Sequence, residues 1–234
     1  MKNIVKETFN QLAKVYENSV DTDSLYNCEY ERPSMLKQIP ENLSGKNVLD
    51  AGCAAGWYTN QLVRKGANVT AGDISPEMVN STKKRIGDKA KVICLDLSDK
   101  LPFEDNSFDF IISSLTLHYI KDWDNTFSEF QRILKPGGTL LFSVHHPMTD
   151  IKLLPEPSYF STELIIDIWN KEGKLFEVPF YRRPLIDIFN TTLTYFSIKE
   201  VIEPLPTIAF KEKDPEGYDR LMKSPQFLII NASL

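Results

Sequence analysis

Val48-Leu49-Asp50-Ala51-Gly52-Cys53-Ala54-Ala55-Gly56 is the stretch whose reading decides the fold. A buried strand ends in an acid, and a turn of small residues then leads straight into a helix. Glycine lets a backbone approach a ligand closely, because any side chain there would fill the space. In open parallel sheets such ligands sit beyond the carboxyl ends of the strands, near the topological switch point. Taken alone, the spacing fits a packing turn equally well. Its surroundings decide between the two.

Working outward, short apolar runs alternate with amphipathic stretches from 46 to 146. Strands are expected at 47–50, 68–73, 91–96, 108–114 and 139–144. A helix over 58–65 stops at Gly66. A second begins at Ser75-Pro76-Glu77, an N-cap, a proline at the first helical position and an early acid, and runs to about 85. A third, over 124–134, places Phe127, Phe130 and Leu134 on one face and ends in Lys135-Pro136-Gly137-Gly138. Such alternation implies an α/β fold with a doubly wound parallel sheet covered on both faces. Beyond Pro147 the rhythm changes. Two apolar runs, 164–169 and 175–180, flank Asn170-Lys171-Glu172-Gly173 and predict an inserted β-hairpin, with a helix over 184–193 and strands at 196–201 and 226–230. The expected organisation is one domain: a helical cap over 1–44, a core over 45–147, an insertion or lid over 148–183, and the end of the sheet over 184–234.

The chain has 234 residues, 42% hydrophobic and 25% charged, an ordinary globular composition. Its 27 basic and 32 acidic residues give a net charge of −5, which disfavours nucleic acid and anionic membranes as partners. Three scattered cysteines, Cys28, Cys53 and Cys94, fit neither a disulfide framework nor a zinc site, so no metal is expected. At the start, Ile4, Val5, Phe9, Leu12 and Tyr16 fall at helical spacing but are interrupted by charges, unlike a signal peptide. No run approaches the ~18 apolar residues of a membrane span. A soluble, cytoplasmic protein is expected.

Three successive strand ends carry an acid: Asp50, Asp73 and Asp96. Asp73 is placed to accept hydrogen bonds from ribose hydroxyls, and Asp96 from an adenine amino group. At this point the chain resembles the class I S-adenosylmethionine-dependent methyltransferases, particularly their small-molecule branch. VLDAGCAAG at 48–56 is similar to that family's first motif, and GDISPEM at 72–78 to its acidic loop. The stretch 94–120 resembles the adenine and fourth-strand motifs, and LKPGGTLLFSV at 134–144 the turn into strand five. YNCEYERP at 26–33 and PQFLIINA at 225–232 are also similar to members of this group.

The resemblance implies a Rossmann-like fold with a seven-stranded sheet, and S-adenosyl-L-methionine as cofactor. By it, Asp50 orients the loop and receives the methionine ammonium directly or through water, while Gly52 and Gly56 let the backbone pass the cofactor. Asp73 holds the ribose, and Ile74 and Met78 pack on the adenine. Asp96 and Leu97 contact the adenine, and Ser114 and Leu115 line the pocket near the sulfonium. Tyr16, Tyr26 and Arg32 are candidates for the methionine carboxylate. Ala54 departs from the family's usual glycine and narrows the pocket. A nicotinamide-dependent oxidoreductase would need GxGxxG, which GxxxG at 52–56 does not supply.

Methyl transfer to a weak nucleophile calls for a general base, and histidine titrates in the right range. The chain has His118, His145 and His146. His118 follows the fourth strand. His145 and His146 point to opposite faces of the fifth, so one of them faces the pocket mouth. His118 and His146 are the catalytic candidates. Tyr181 and Arg182 are candidates for an anionic substrate group, and Trp57, Trp169, Phe176, Phe180 and Tyr181 for an apolar acceptor pocket. The expected partner is a small-molecule methyl acceptor, bound by a monomer or homodimer. An RNA or protein methyltransferase, or a non-catalytic S-adenosylmethionine-binding protein, remains open.

Overall fold

The computed structural model describes residues 1–20 and 23–234. Strand β1 (Asn47–Ala51) lies at the centre of the sheet and is buried on both faces. Val48 and Leu49 point to opposite sides, as successive strand residues must. Val48 packs with Tyr58 and Leu62 of α3 (Trp57–Arg64) and with Met35 of α2 (Arg32–Gln38). Leu49 packs with Phe127 and Phe130 of α5 (Asp124–Ile133). Phe110 and Ile111 of β4 (Phe108–Ser114) repeat this division, as do Leu140 and Leu141 of β5 (Leu134–His145). Continuous apolar strands are what a sheet covered on both faces requires. Burying each Phe of α5 contributes about 1.5–3 kcal/mol.

With β2 (Asn68–Asp73), β3 (Lys91–Cys94), β8 (Ser197–Ile202) and β9 (Phe227–Ser233), the sheet has the order β3-β2-β1-β4-β5-β9-β8. The pairings from β3 to β5 are parallel, whereas β9 runs antiparallel to β5 and to β8. The order reverses direction between β1 and β4, so a crevice opens beyond their carboxyl ends. The expected cap forms at α4 (Pro76–Ile86), where the Ser75 hydroxyl accepts from the Met78 N–H at 3.1 Å. The third strand ends at Cys94, earlier than expected, which leaves Asp96 in the following turn.

The predicted hairpin is β6 (Glu163–Lys171) and β7 (Lys174–Arg182), a separate antiparallel pair. Glu172 and Gly173 connect them with φ of 52° and 77°, the positive values whose twist suits a two-residue hairpin turn. Its inner residues Phe176 and Val178 pack against Leu12 and Val15 of α1 (Lys2–Val15). Hairpin and N-terminal helix therefore close over the same end of the sheet. Before the hairpin, α6 (Pro147–Asp150) lies at the end of β5; after it, α7 (Leu185–Tyr195) covers the sheet beside α5. Two one-to-two-turn helices, α8 (Ile208–Lys213) and α9 (Pro215–Leu221), were not anticipated. They are too short to show an apolar period, and Phe210 and Leu221 pack on Tyr30 and Phe227. Among the described residues no helix is long and apolar enough to cross a membrane.

Candidate functional site

Beyond the carboxyl ends of β1 to β5 lies a cavity of about 810 Å³. Its wall at the β2 end is Asp73, whose two oxygens each accept a backbone N–H at 2.9 Å, one from Ala54 and one from Ser75. A carboxylate offers about four acceptor positions, so both oxygens keep capacity for a pair of hydroxyls. Burial pushes the Asp73 carboxyl up to about 6, against the backbone N–H groups of Ser75, Ala54 and Ile74. Ile74 and Leu97 border the same cavity, between Asp73 and Asp96. For Asp96, burial raises the carboxyl, but the Ser98 hydroxyl and N–H and the Lys2 ammonium outweigh it and hold the group below its usual range. Lys2, at the start of α1, reaches Asp96 at 3.2 Å and Asp99 at 2.7 Å, so the helix end is tied across this rim.

The turn after β1 is built by protein packing. Gly52 has φ of 90°, and a Cβ there would lie 2.2 Å from the Thr116 hydroxyl oxygen. Gly56 has φ of 80°, and its Cβ would meet Thr82 at 2.8 Å. Gly52 borders the cavity; Gly56 does not. The close approach at both glycines is to threonines of the neighbouring loop and helix. Ala54 stands between them with φ of 46°, in the left-handed region its methyl group disfavours. Its N–H must face Asp73, and that fixes the conformation.

Asp50 lies behind this turn. It is 1% exposed and accepts from the Thr59 hydroxyl at 2.6 Å. Burial, with the nearby Asp73 charge adding, pushes its carboxyl up to about 7 against the Thr59 hydroxyl. It ties β1 to α3 and so orients the loop, but it does not border the cavity. Met78 is also displaced from its expected place. Helix α1 covers that face of α4, and Met78 is fully buried with Leu12 and Ala55.

At the other end, Ser114 and Leu115 border the cavity as expected, together with Tyr16, Tyr26 and Arg32. The Arg32 guanidinium lies 4.1 Å over the Trp57 ring, and the Tyr26 hydroxyl accepts from Arg220 at 2.9 Å. Sequence reasoning missed Glu31, the buried carboxylate between them. It receives the Tyr58 hydroxyl at 2.7 Å, Ser114 at 2.8 Å and Ser143 at 2.6 Å, and so binds the N-terminal segment to the ends of β4 and β5. Burial raises its carboxyl, with those three hydroxyls opposing. It lies in YNCEYERP at 26–33, where Glu31 follows Tyr30, but nothing local tells it from a solvated residue.

Residues 49–142 match the family described as a methyltransferase domain. The chain superposes on a crystal structure of an S-adenosylmethionine-dependent methyltransferase from Mesorhizobium loti with a TM-score of 0.71 at 26% identity, covering 92% of this chain and 100% of that one. The fold is that of the S-adenosylmethionine-dependent methyltransferases, and the family match spans 49–142 of the chain. Among curated relatives, a malonyl-[acyl-carrier protein] O-methyltransferase from Halorhodospira halophila is 28% identical over 81% of this chain and 66% of its own length. A demethylmenaquinone methyltransferase from Tropheryma whipplei is 30% identical over 58% of this chain and 57% of its own. The chain thus spans about two thirds of one relative and just over half of the other.

The cavity fits S-adenosylmethionine in its own chemistry. Asp73 would take the ribose hydroxyls, Ile74 and Leu97 the flat faces of the base, and Asp96 its amino group. Arg32 would take the carboxylate and Glu31 the ammonium of the amino-acid end.

The proposed catalytic and substrate residues fare differently. His146 points away from the cavity: its Nδ1 caps α6 by accepting from Met148 at 3.2 Å, and its Nε2 lies 3.0 Å from Glu203. His145 takes the cavity side of the pair. His118 is 3% exposed behind it, both ring nitrogens without a partner, and does not border the cavity. Arg182 is fully buried at the hairpin base, donating to the carbonyls of Ser158, Tyr159 and Ser161 and to Glu163. A substrate anion cannot reach it. Tyr181 does border the cavity, as do Trp57, Trp169 and Phe180; Phe176 is turned into the packing against α1.

Proposed function

We propose that this protein transfers a methyl group from S-adenosylmethionine to a small organic acceptor bound in the same cavity. The observation that carries the reading is the continuity of that cavity, from the acids Asp73 and Asp96 to the aromatic wall of Trp169, Phe180 and Tyr181. About 810 Å³ has room for a nucleoside and a second small molecule. S-adenosylmethionine supplies the electrophilic methyl group. The chain's own residues align the acceptor and exclude water: α1 and the hairpin close the open side, and the rings of Phe9, Tyr119 and Trp169 make the interior apolar. The names of the relatives point to acceptors as different as malonyl-acyl carrier protein and demethylmenaquinone, so the acceptor here is assigned only as small and organic. A homodimer would close on the exposed row Leu164, Ile166 and Ile168 of β6, and light scattering separates it from a monomer.

The test is calorimetric titration with S-adenosylmethionine, S-adenosylhomocysteine and NAD. Saturable binding of both sulfur nucleotides and none of NAD is expected. Asp73→Ala should weaken that binding by about 1–3 kcal/mol, the cost of removing a partner of buried hydrogen-bonding groups. Binding without release of S-adenosylhomocysteine on any acceptor would instead favour a non-catalytic binding protein.

A further inference from the structure

His145, at the last position of β5, is the histidine that borders the cavity, with its side chain 17% exposed against 3% for His146. Its Nδ1 lies 3.3 Å from a carboxylate oxygen of Asp150, which is 6% exposed at the end of α6 and borders the same cavity. The contact is an ion-pair distance; a negative carboxylate beside Nδ1 favours a proton on that nitrogen and leaves Nε2 as the ring's acceptor. The ring is held on several sides. His118 stacks on it at 4.0 Å and 22°, Phe180 meets it edge-on at 4.7 Å, and Phe227 lies at 6.0 Å.

The charges around it are few. Burial drives the His118 imidazole well below its usual range, with the His145 and Arg183 charges adding, so the stacked partner is neutral. Arg183 lies over Trp123 at 3.9 Å and donates to the carbonyls of Ile120 and Lys121, turned away from the cavity floor. Lys121 and Asp122 stand at the cavity rim.

We propose that His145, oriented by Asp150, is the general base of this methyltransferase, and that its acceptor is a flat aromatic compound methylated on a phenolic oxygen. The inference rests on the methyltransferase reading and deepens it. A carboxylate acceptor arrives already ionised and gives a base nothing to remove; a phenol carries a proton that must go. In the step, the phenolic proton passes to His145 Nε2 as the oxygen bonds to the methyl carbon. The carbon–sulfur bond breaks with its electron pair left on sulfur, and the imidazolium then returns its proton to solvent. Tyr119, Phe180, Tyr181 and Phe227 supply the apolar faces between which an aromatic ring would lie.

Two measurements test this separately. Long-range ¹H–¹⁵N NMR of the ligand-free protein reads the tautomer: His145 should carry its proton on Nδ1, and Asp150→Ala should move it to Nε2. A wild-type Nε2–H form overturns the dyad whatever the activity. Methyl transfer is then measured with 2-naphthol and with naphthalene-2-carboxylate as probes. Turnover of the phenol is expected, with kcat for His145→Gly lower by about 10²–10⁴-fold, KM nearly unchanged, and activity partly restored by added imidazole. Turnover of the carboxylate alone, or of neither probe, overturns the acceptor class. Undiminished phenol turnover in His145→Gly overturns the base. Calorimetry with S-adenosylmethionine keeps the two readings apart: failure of wild type to bind it defeats the methyltransferase reading, while the tautomer still decides the dyad.

Discussion

Ala54 pays for its position in backbone strain. Its φ of 46° is held by a hydrogen bond to Asp73 and by glycines on either side of the turn. Left-handed backbone costs a residue with a Cβ roughly 1–2 kcal/mol, and glycine's extra unfolded-state freedom returns part of that. Ala54→Gly should therefore raise stability by about 0.5–1 kcal/mol, read by urea denaturation. An unchanged or lower midpoint would mean the surrounding turn already relieves the strain. Asp50 gives a second residue-scale prediction. Its carboxyl is pushed up to about 7 from an ordinary value of 3.8, so the folded state binds a proton that the unfolded state has released. Stability from this group is greatest below about pH 4 and falls as pH rises towards 7. Asp50→Asn keeps an acceptor for Thr59 and removes the charge. The variant should match wild type at pH 4 and be the more stable at pH 8, in thermal denaturation at both values. Equal stability at pH 8 would show that the buried carboxylate is solvated in a way its 1% exposure does not suggest.

At the scale of elements, the hairpin depends on one side chain at its base. Arg182 has no exposed surface, and its two terminal nitrogens bond three carbonyls and Glu163. Removing it would leave a carboxylate and three carbonyls short of a donor, at about 3–5 kcal/mol by the usual cost of breaking a buried pair. Arg182→Met should lower the melting temperature strongly and leave the affinity for S-adenosylmethionine close to wild type once the protein is folded. A stable variant with weakened substrate binding would return Arg182 to the substrate. Arg182 and its neighbour Arg183 are alike in sequence, and Arg182 was a candidate for anion recognition. Their partners, carbonyls of 158–161 for one and of 120–121 for the other, come from distant segments that only folding brings near.

For the whole molecule, the cavity is closed by parts far apart in the chain. Lys2, Val5 and Phe9 of α1 and Trp169 and Lys171 of the hairpin all line it. The Thr8 hydroxyl donates to the Glu177 carbonyl at 3.1 Å, and the Ser75 hydroxyl to Asn10 at 2.7 Å, tying helix to hairpin and to the cofactor loop. A ligand seated beneath should slow the opening of this cover. Hydrogen exchange in α1 and β7 should become slower on saturation with S-adenosylhomocysteine, while the centre of β1 changes little. Equal exchange of α1 with and without ligand would show that the helix takes no part in closure.

Sequence alone determined the sheet, its two-sided burial, the cap of α4, the hairpin and the acids near the ends of β1, β2 and β3. These follow from period, spacing and turn chemistry within a few residues, which a linear pattern carries. Which side chains meet was decided only in three dimensions. Adjacent strand residues must diverge, so one of His145 and His146 had to face the cavity, but which one depends on how β9 and α6 dock against β5. Met78 lost its place because α1 covers it, and Glu31 gained one because a segment 83 residues before Ser114 returns to the end of β4. Such long-range contacts leave no local period. The glycines were legible as a turn; that Thr116 and Thr82 crowd them was not.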